Sequence, residues 1–183
     1  MNVAVLMSTY NGEKYIKEQI ESILGQENVS VEIFIRDDGS IDHTVDIVEK
    51  YDNINIIRGE NIGVGNSFME LVYKVPNSFE FYAFADQDDI WLNNKMEKGI
   101  EKIRHQKGPI LYCSNQRLID KYGSEIGVRF NRNPDLSSEK IFVQNSATGC
   151  TMIWNRELQN ILLKKRPAKE LLYSRIHDVW VLW

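Results

Sequence analysis

The sequence predicts an α/β fold, a mostly parallel central sheet with helices on both faces. Three observations carry that expectation. Short runs rich in β-branched and aromatic residues alternate with longer amphipathic runs through the first half of the chain. The earliest of the short runs is apolar at consecutive positions, as a strand buried on both faces must be. Polar clusters stand directly after three of the strand-like runs, where open α/β sheets gather their ligands.

Val3–Met7 is the first continuous apolar run and reads as the first strand. Glu13–Leu24 places Tyr15, Ile16, Ile20, Ile23 and Leu24 at helical spacing. Val31–Ile35 reads as the second strand, Thr44–Tyr51 as the second helix and Ile54–Ile57 as the third strand. A helical stretch, Ser67–Tyr73, follows a glycine-rich turn. Phe79–Ala85 is aromatic and apolar, hence a central strand, followed by a polar helix over Asn93–His105 and a fifth strand over Ile110–Ser114. After Gln116 the rhythm breaks. Residues 117–147 are polar, contain Gly123, Gly127 and Pro134, and read as excursions near a site rather than as core. A last strand, Cys150–Trp154, precedes a helix over Arg156–Leu163. The chain ends on Val181-Leu182-Trp183, apolar and without a polar tail, so one domain over 1–183, cut short at its C-terminus, is expected.

Composition narrows the function. Twenty-two basic against 26 acidic residues give a formal net charge of −4, which argues against a general polyanion binder and against a nucleic-acid partner. Cys113 and Cys150 stand far apart in no metal spacing, which disfavours a disulfide scaffold and a cysteine zinc site. No apolar run approaches the ~20 residues of a membrane span. The N-terminus has no basic leader, so a cytoplasmic protein is expected.

Chemistry concentrates after the strands, in Ser8-Thr9-Tyr10-Asn11-Gly12, Asp37-Asp38-Gly39-Ser40 and Asp86-Gln87-Asp88-Asp89. Turn and cap chemistry accounts for Gly39, Ser40 and Asp42. It leaves two adjacent carboxylates, Asp37 and Asp38, one of which could accept a base N–H and recognise uracil or thymine. Three acids at 86–89 repel one another and call for a cation, whereas a helix N-terminus would want only one. A D-x-D spacing brings two carboxylates to one hard ion, Mg2+ or Mn2+, shared with substrate phosphates. An EF-hand is disfavoured, because Ile90 and Trp91 occupy the fifth and sixth loop positions, where an oxygen ligand and Gly belong. Gly63-Val64-Gly65-Asn66-Ser67-Phe68 imitates a dinucleotide fingerprint, but it follows the third strand and ends in Phe68, so it reads as a turn beneath a ligand. His177-Asp178 reads either as a helix start or as the place of a general base. His43 and His105 read as solvated and the cysteines as small packing residues, while Trp91 could wall a pocket beside the acids.

Together with Asn61-Ile62-Gly63, Thr148-Gly149-Cys150-Thr151-Met152 and His177-Asp178-Val179-Trp180, these stretches resemble, in order, the inverting glycosyltransferases of family 2 with the GT-A fold. The Asp-Gln-Asp-Asp-Ile-Trp and His-Asp-x-Trp forms look most like bacterial rhamnosyltransferase-type members that build surface polysaccharide. The resemblance implies that Ser8 and Tyr10 contact the nucleotide base, that Asp38 recognises its N3–H, and that Asn61 and Asp86 complete the nucleotide site with Asp86 near the ribose. It further implies Asp88 as the ligand of Mn2+ or Mg2+ and Asp178 as the general base. The implied donor is a UDP- or dTDP-sugar and the implied acceptor a saccharide or lipid-linked saccharide, with peripheral contact at the inner face of the membrane through a further C-terminal segment. The absence of a Gln-x-x-Arg-Trp stretch speaks against a processive synthase. Two other classes fit less well. A sugar-nucleotide nucleotidyltransferase would want a basic residue where Glu13 follows the first loop, and a non-catalytic nucleotide-sugar-binding domain would bind without turnover.

Overall fold

Strand formation in the computed structural model, which describes residues 1–132, 147–167 and 177–182, follows the apolar runs closely. The strands are β1 (Asn2–Thr9), β2 (Ser30–Asp37), β3 (Ile54–Arg58), β4 (Phe81–Ala85), β5 (Leu111–Cys113), β6 (Arg117–Ile119), β7 (Glu125–Val128) and β8 (Met152–Asn155). Six of them form one sheet in the order β3-β2-β1-β4-β8-β5. β1 pairs in parallel with β2 and β4, and β2 with β3. β8 runs antiparallel between β4 and β5.

Alternation along the strands divides the core. Val3, Val5 and Met7 of β1 point to one face with Ile33, Ile35, Ala83 and Ala85. That face is covered by α1 (Ile16–Leu24), α2 (Thr44–Val48) and, after α3 (Val64–Lys74), by α4 (Lys95–Ile103). Ala4, Leu6, Tyr82, Phe84 and Trp154 point the other way and meet Phe68, Leu71 and Val72 of α3. On the same side lie α5 (Arg156–Leu162) and α6 (His177–Leu182), through Leu162 and Val181. The period of two in the strands and the helical spacing in the helices thus produce the two helix layers.

The differences from the sequence reading are local. Helix α1 starts at Ile16 rather than Glu13, because Tyr15 and Ile16 N–H groups both donate to Gly12 O and close a turn first. The last strand begins at Met152, after a 3-10 turn over Gly149–Thr151. Within 117–147, β6 and β7 pair as an antiparallel hairpin whose apolar residues Ile119 and Ile126 are exposed. Each of these strands is too short for alternation to announce it. Pro134 and Trp183 lie outside the described residues. Among the described residues, no helix is long and apolar enough to cross a membrane.

Candidate active site

β1 and β4 are neighbours although two strands intervene between them in sequence, so the loops that follow them open onto a crevice at the carboxyl edge of the sheet. A cavity of about 330 Å³ lies there, lined by Ser8, Tyr10, Asp38, Asn61, Asp86 and Asp88 among others. Six of the seven residues singled out from the sequence therefore share one cavity. Asp178 does not line it and is only 3% exposed.

Of the two adjacent carboxylates after β2, Asp37 builds the loop. It accepts from Thr9 Oγ1 at 3.0 Å, from the N–H groups of Gly39 and Ser40 at 3.2 and 2.9 Å, and from Ser40 Oγ. Gly39 has φ +84, a conformation that a side chain would strain. Asp38 faces the cavity but has partners of its own. Its Oδ1 pairs with Arg36 and accepts Ile62 N–H at 2.8 Å, while Oδ2 accepts Gly63 N–H at 3.0 Å. Arg36, buried at the end of β2, also holds Glu70 at 2.6 Å and Glu60 O at 3.0 Å. Asp38 is thus one pole of a buried ion pair, and the loop carrying Asn61 is tied to it. The imitation fingerprint resolves in the same way: Gly63, at φ +83, turns the chain into α3 and donates to Asp38. Ser8 Oγ bonds Ser67 Oγ of α3 at 2.6 Å.

The acidic loop after β4 is electrostatically loaded. Burial, the charge of Asp89 and then those of Asp88 and Asp178 push Asp86 up to about 6, against a hydrogen bond from Cys150. Donor atoms of Asp86, Asp89 and Cys150 lie within 4.8 Å of one another, whereas Asp88 is exposed at the cavity. Burial raises the Cys150 thiol, so it stays protonated and donates to the acids behind the loop. Lys95 stands on the same inner side. It donates to Cys150 O at 2.6 Å, lies 3.7 Å from the centre of the Trp91 ring, and is lowered to about 8 by burial despite Asp89 and Asp86. Trp91 is not a pocket wall, in contrast to the sequence reading. It is 3% exposed and packs in the core under α1 and α4.

Asp178 opens α6, and its carboxylate Oδ2 accepts Gly149 N–H at 3.2 Å. Beside it, His177 stacks on Phe68 at 3.8 Å between ring centres and meets Phe84 edge-on at 4.7 Å. Complete burial drives His177 down to about 3, so it is neutral. The two motifs 148–152 and 177–180 therefore meet as one structure, with Gly149 packed against the buried His177 ring and its N–H bonded to the Asp178 carboxylate. The sequence reading missed Arg36, Lys95, Gln87 and the Gly149–His177 contact. An arginine at the end of a buried strand and a lysine behind three acids were the available signals for the first two.

Comparison with known proteins identifies the family and the fold. Residues 4–159 match the family described as Glycosyl transferase family 2. A dTDP-rhamnosyl transferase, RfbG of Shigella flexneri, is 30% identical over 190 residues, covering 97% of this chain and 63% of the relative. The crystal structure of S. aureus TarS 1-349 in complex with UDP superposes with a TM-score of 0.67 at 24% identity, over all of this chain and 54% of TarS. The mannosyltransferase PcManGT from Pyrobaculum calidifontis, solved with GDP-Man and Mn2+, gives a TM-score of 0.61 at 18% identity, over 87% of this chain and 46% of that one. This chain thus spans about half to two thirds of the length of these relatives. The fold is GT-A, and the chain belongs to glycosyl transferase family 2.

Proposed function

We propose that this chain is the catalytic domain of a glycosyltransferase that takes a UDP- or dTDP-linked sugar at the carboxyl ends of β1, β2 and β4. The sugar passes, with inversion, to a saccharide or lipid-linked saccharide acceptor in the synthesis of bacterial surface polysaccharide. The observation that carries the reading is the composition of the cavity. Tyr10, an exposed aromatic residue, lines it together with Asp38, Asp86 and Asp88, and the described lining residues include no lysine or arginine. Carboxylates repel a diphosphate, so such a cavity suits one only with a divalent cation between them. The loaded state of Asp86 and the all-oxygen donors facing the cavity fit Mn2+ or Mg2+. Asp88 would hold the ion with Asp86 beside it, and the ion would supply Lewis-acid stabilisation of the departing nucleoside diphosphate. The relatives support the donor class, since RfbG is named for a dTDP-linked sugar and TarS is solved with UDP.

In this reading Tyr10 stacks on the base and Asp38 Oδ2, which also accepts Gly63 N–H, accepts its N3–H. Asp178 takes the proton of the acceptor hydroxyl as that oxygen attacks the anomeric carbon. The new carbon–oxygen bond forms as the bond to the diphosphate breaks, and a single displacement inverts the anomeric centre. Gly149 N–H holds Asp178 in place for this. The test is incubation with UDP- and dTDP-sugars, Mn2+ and oligosaccharide acceptors, following free nucleoside diphosphate and the anomeric configuration of the product by NMR. Asp178→Asn should slow transfer by ~10²–10⁴ while donor affinity is kept. A product of retained configuration, or parent-rate transfer by that variant, would contradict the mechanism.

A further inference from the structure

The middle residue of Asp86-Gln87-Asp88 is not a spacer. Tyr10 N–H donates to Gln87 Oε1 at 3.0 Å, and Gln87 Nε2 donates back to Tyr10 O at 3.1 Å. The parallel ladder between β1 and β4 ends at Met7 and Ala85. Beyond that point the Gln87 amide takes the place of a strand neighbour, offering one acceptor and one donor to both backbone groups of a single residue. It does so by lying over Gly12. A Cβ on Gly12 would stand 2.3 Å from Gln87 Oε1 and 2.7 Å from its Cδ. The other flank of the loop is held by the turn after β2, where Asn11 N–H donates to Ser40 Oγ and Ile41 N–H to Asn11 Oδ1, both at 2.9 Å.

Tyr10, a 47% exposed residue that lines the cavity, is therefore gripped at its backbone by the loop that carries Asp86 and Asp88. From this geometry we infer that Gln87 is a positioning residue that joins the aromatic end of the donor site to its acidic end. It aims the Tyr10 ring and couples that ring to the state of the acid loop, so that nucleotide and divalent cation bind as linked events. The inference rests on the nucleotide reading above. No other side chain meets the same demand. Glutamate would set a carboxylate oxygen against Tyr10 O and add a negative charge to the acids, asparagine is one methylene short, and methionine fills the space without either hydrogen bond.

The test is a double-mutant cycle on dTDP affinity, by calorimetry with and without Mn2+, in the parent chain, Gln87→Met, Tyr10→Ala and the double variant. Gln87→Met should weaken dTDP about tenfold and shrink the gain in affinity that Mn2+ brings, as the loss of two positioning hydrogen bonds predicts. Acting through the ring, it should cost nothing further once Tyr10 is alanine. Gln87→Asn, which keeps the amide but cannot reach, should behave as Gln87→Met and covers the case in which the methionine variant fails to fold. Equal losses from Gln87→Met in the presence and absence of the Tyr10 ring, or parent affinity in both Gln87 variants, would overturn the inference while leaving the donor reading intact. A parent chain that binds neither dTDP nor UDP with Mn2+ would overturn both.

Discussion

Gly149→Ala puts the smallest possible perturbation at the junction that places Asp178. The added Cβ would stand 2.5 Å from His177 Nε2, 3.2 Å from Cε1 and 3.5 Å from Cδ2. A ring at the end of a side chain can often step aside, but this one is stacked on Phe68 and blocked by the edge of Phe84. The methyl group must therefore displace the start of α6, and the Gly149 N–H to Asp178 bond lengthens with it. Overpacking costs about 1–3 kcal/mol, and weakening a hydrogen bond to a buried carboxylate adds a loss of similar size. We expect about 2–6 kcal/mol in all, a fall in Tm of roughly 4–24 °C for a chain of this length. Urea denaturation and a thermal melt read it directly. Since Gly149 is outside the cavity lining, dTDP affinity should stay at the parent value, while a displacement of Asp178 by about 1 Å would slow transfer on the order of 10²-fold. Adding His177→Ala frees the space, so the double variant should be more stable than the sum of the two single losses. Parent stability in Gly149→Ala would refute the reasoning, because the ring could then not be fixed against that glycine.

Two further outcomes follow from buried charge. His177 is lowered from 6.5 to about 3, so between those values the unfolded chain binds a proton that the folded chain refuses. Its contribution to stability is whole above about pH 6.5 and is lost as the pH falls, at up to about 1.4 kcal/mol per unit. His177→Leu should flatten that slope by about one proton in urea titrations between about pH 7 and about pH 5, and an unchanged slope would place the acid sensitivity elsewhere. Asp38→Asn leaves buried Arg36 with Glu70 as its remaining carboxylate and sets an amide among the Ile62 and Gly63 N–H groups. It should cost about 3–5 kcal/mol in urea denaturation, as breaking a buried ion pair does, and parent stability would show the pair to be dispensable.

The legible part of this protein was what periodicity and position report. Continuous apolar runs gave β1 and β4, amphipathic spacing gave α1, and polar residues at strand ends proved to share a cavity. Direction and partnership were not legible. Nothing in Met152–Asn155 says that β8 runs against its neighbours, because an apolar run looks the same in either sense. The partners of Asp38, Arg36 apart, come from a loop about two dozen residues away, so its ties were out of reach of local reasoning. Gln87 carried no signal of its own, since its contacts are with a backbone 77 residues earlier in the chain. The burial of Trp91 depends on α4 folding over it with Lys95 on its ring, a tertiary event that the flanking acids obscured.

The central claim is that a nucleoside diphosphate and a divalent cation meet in the cavity between the β1 and β4 loops. Calorimetric titration of the chain with dTDP and UDP, with and without Mn2+, tests it most directly, with Asp88→Ala as the companion protein. Asp88 is exposed and faces the cavity, so its removal should leave the metal-free Tm unchanged. The account predicts that Mn2+ strengthens the binding of dTDP or UDP at least about tenfold in the parent chain and that Asp88→Ala abolishes this gain. Affinity that is the same with and without Mn2+, or a full Mn2+ effect in Asp88→Ala, would contradict it.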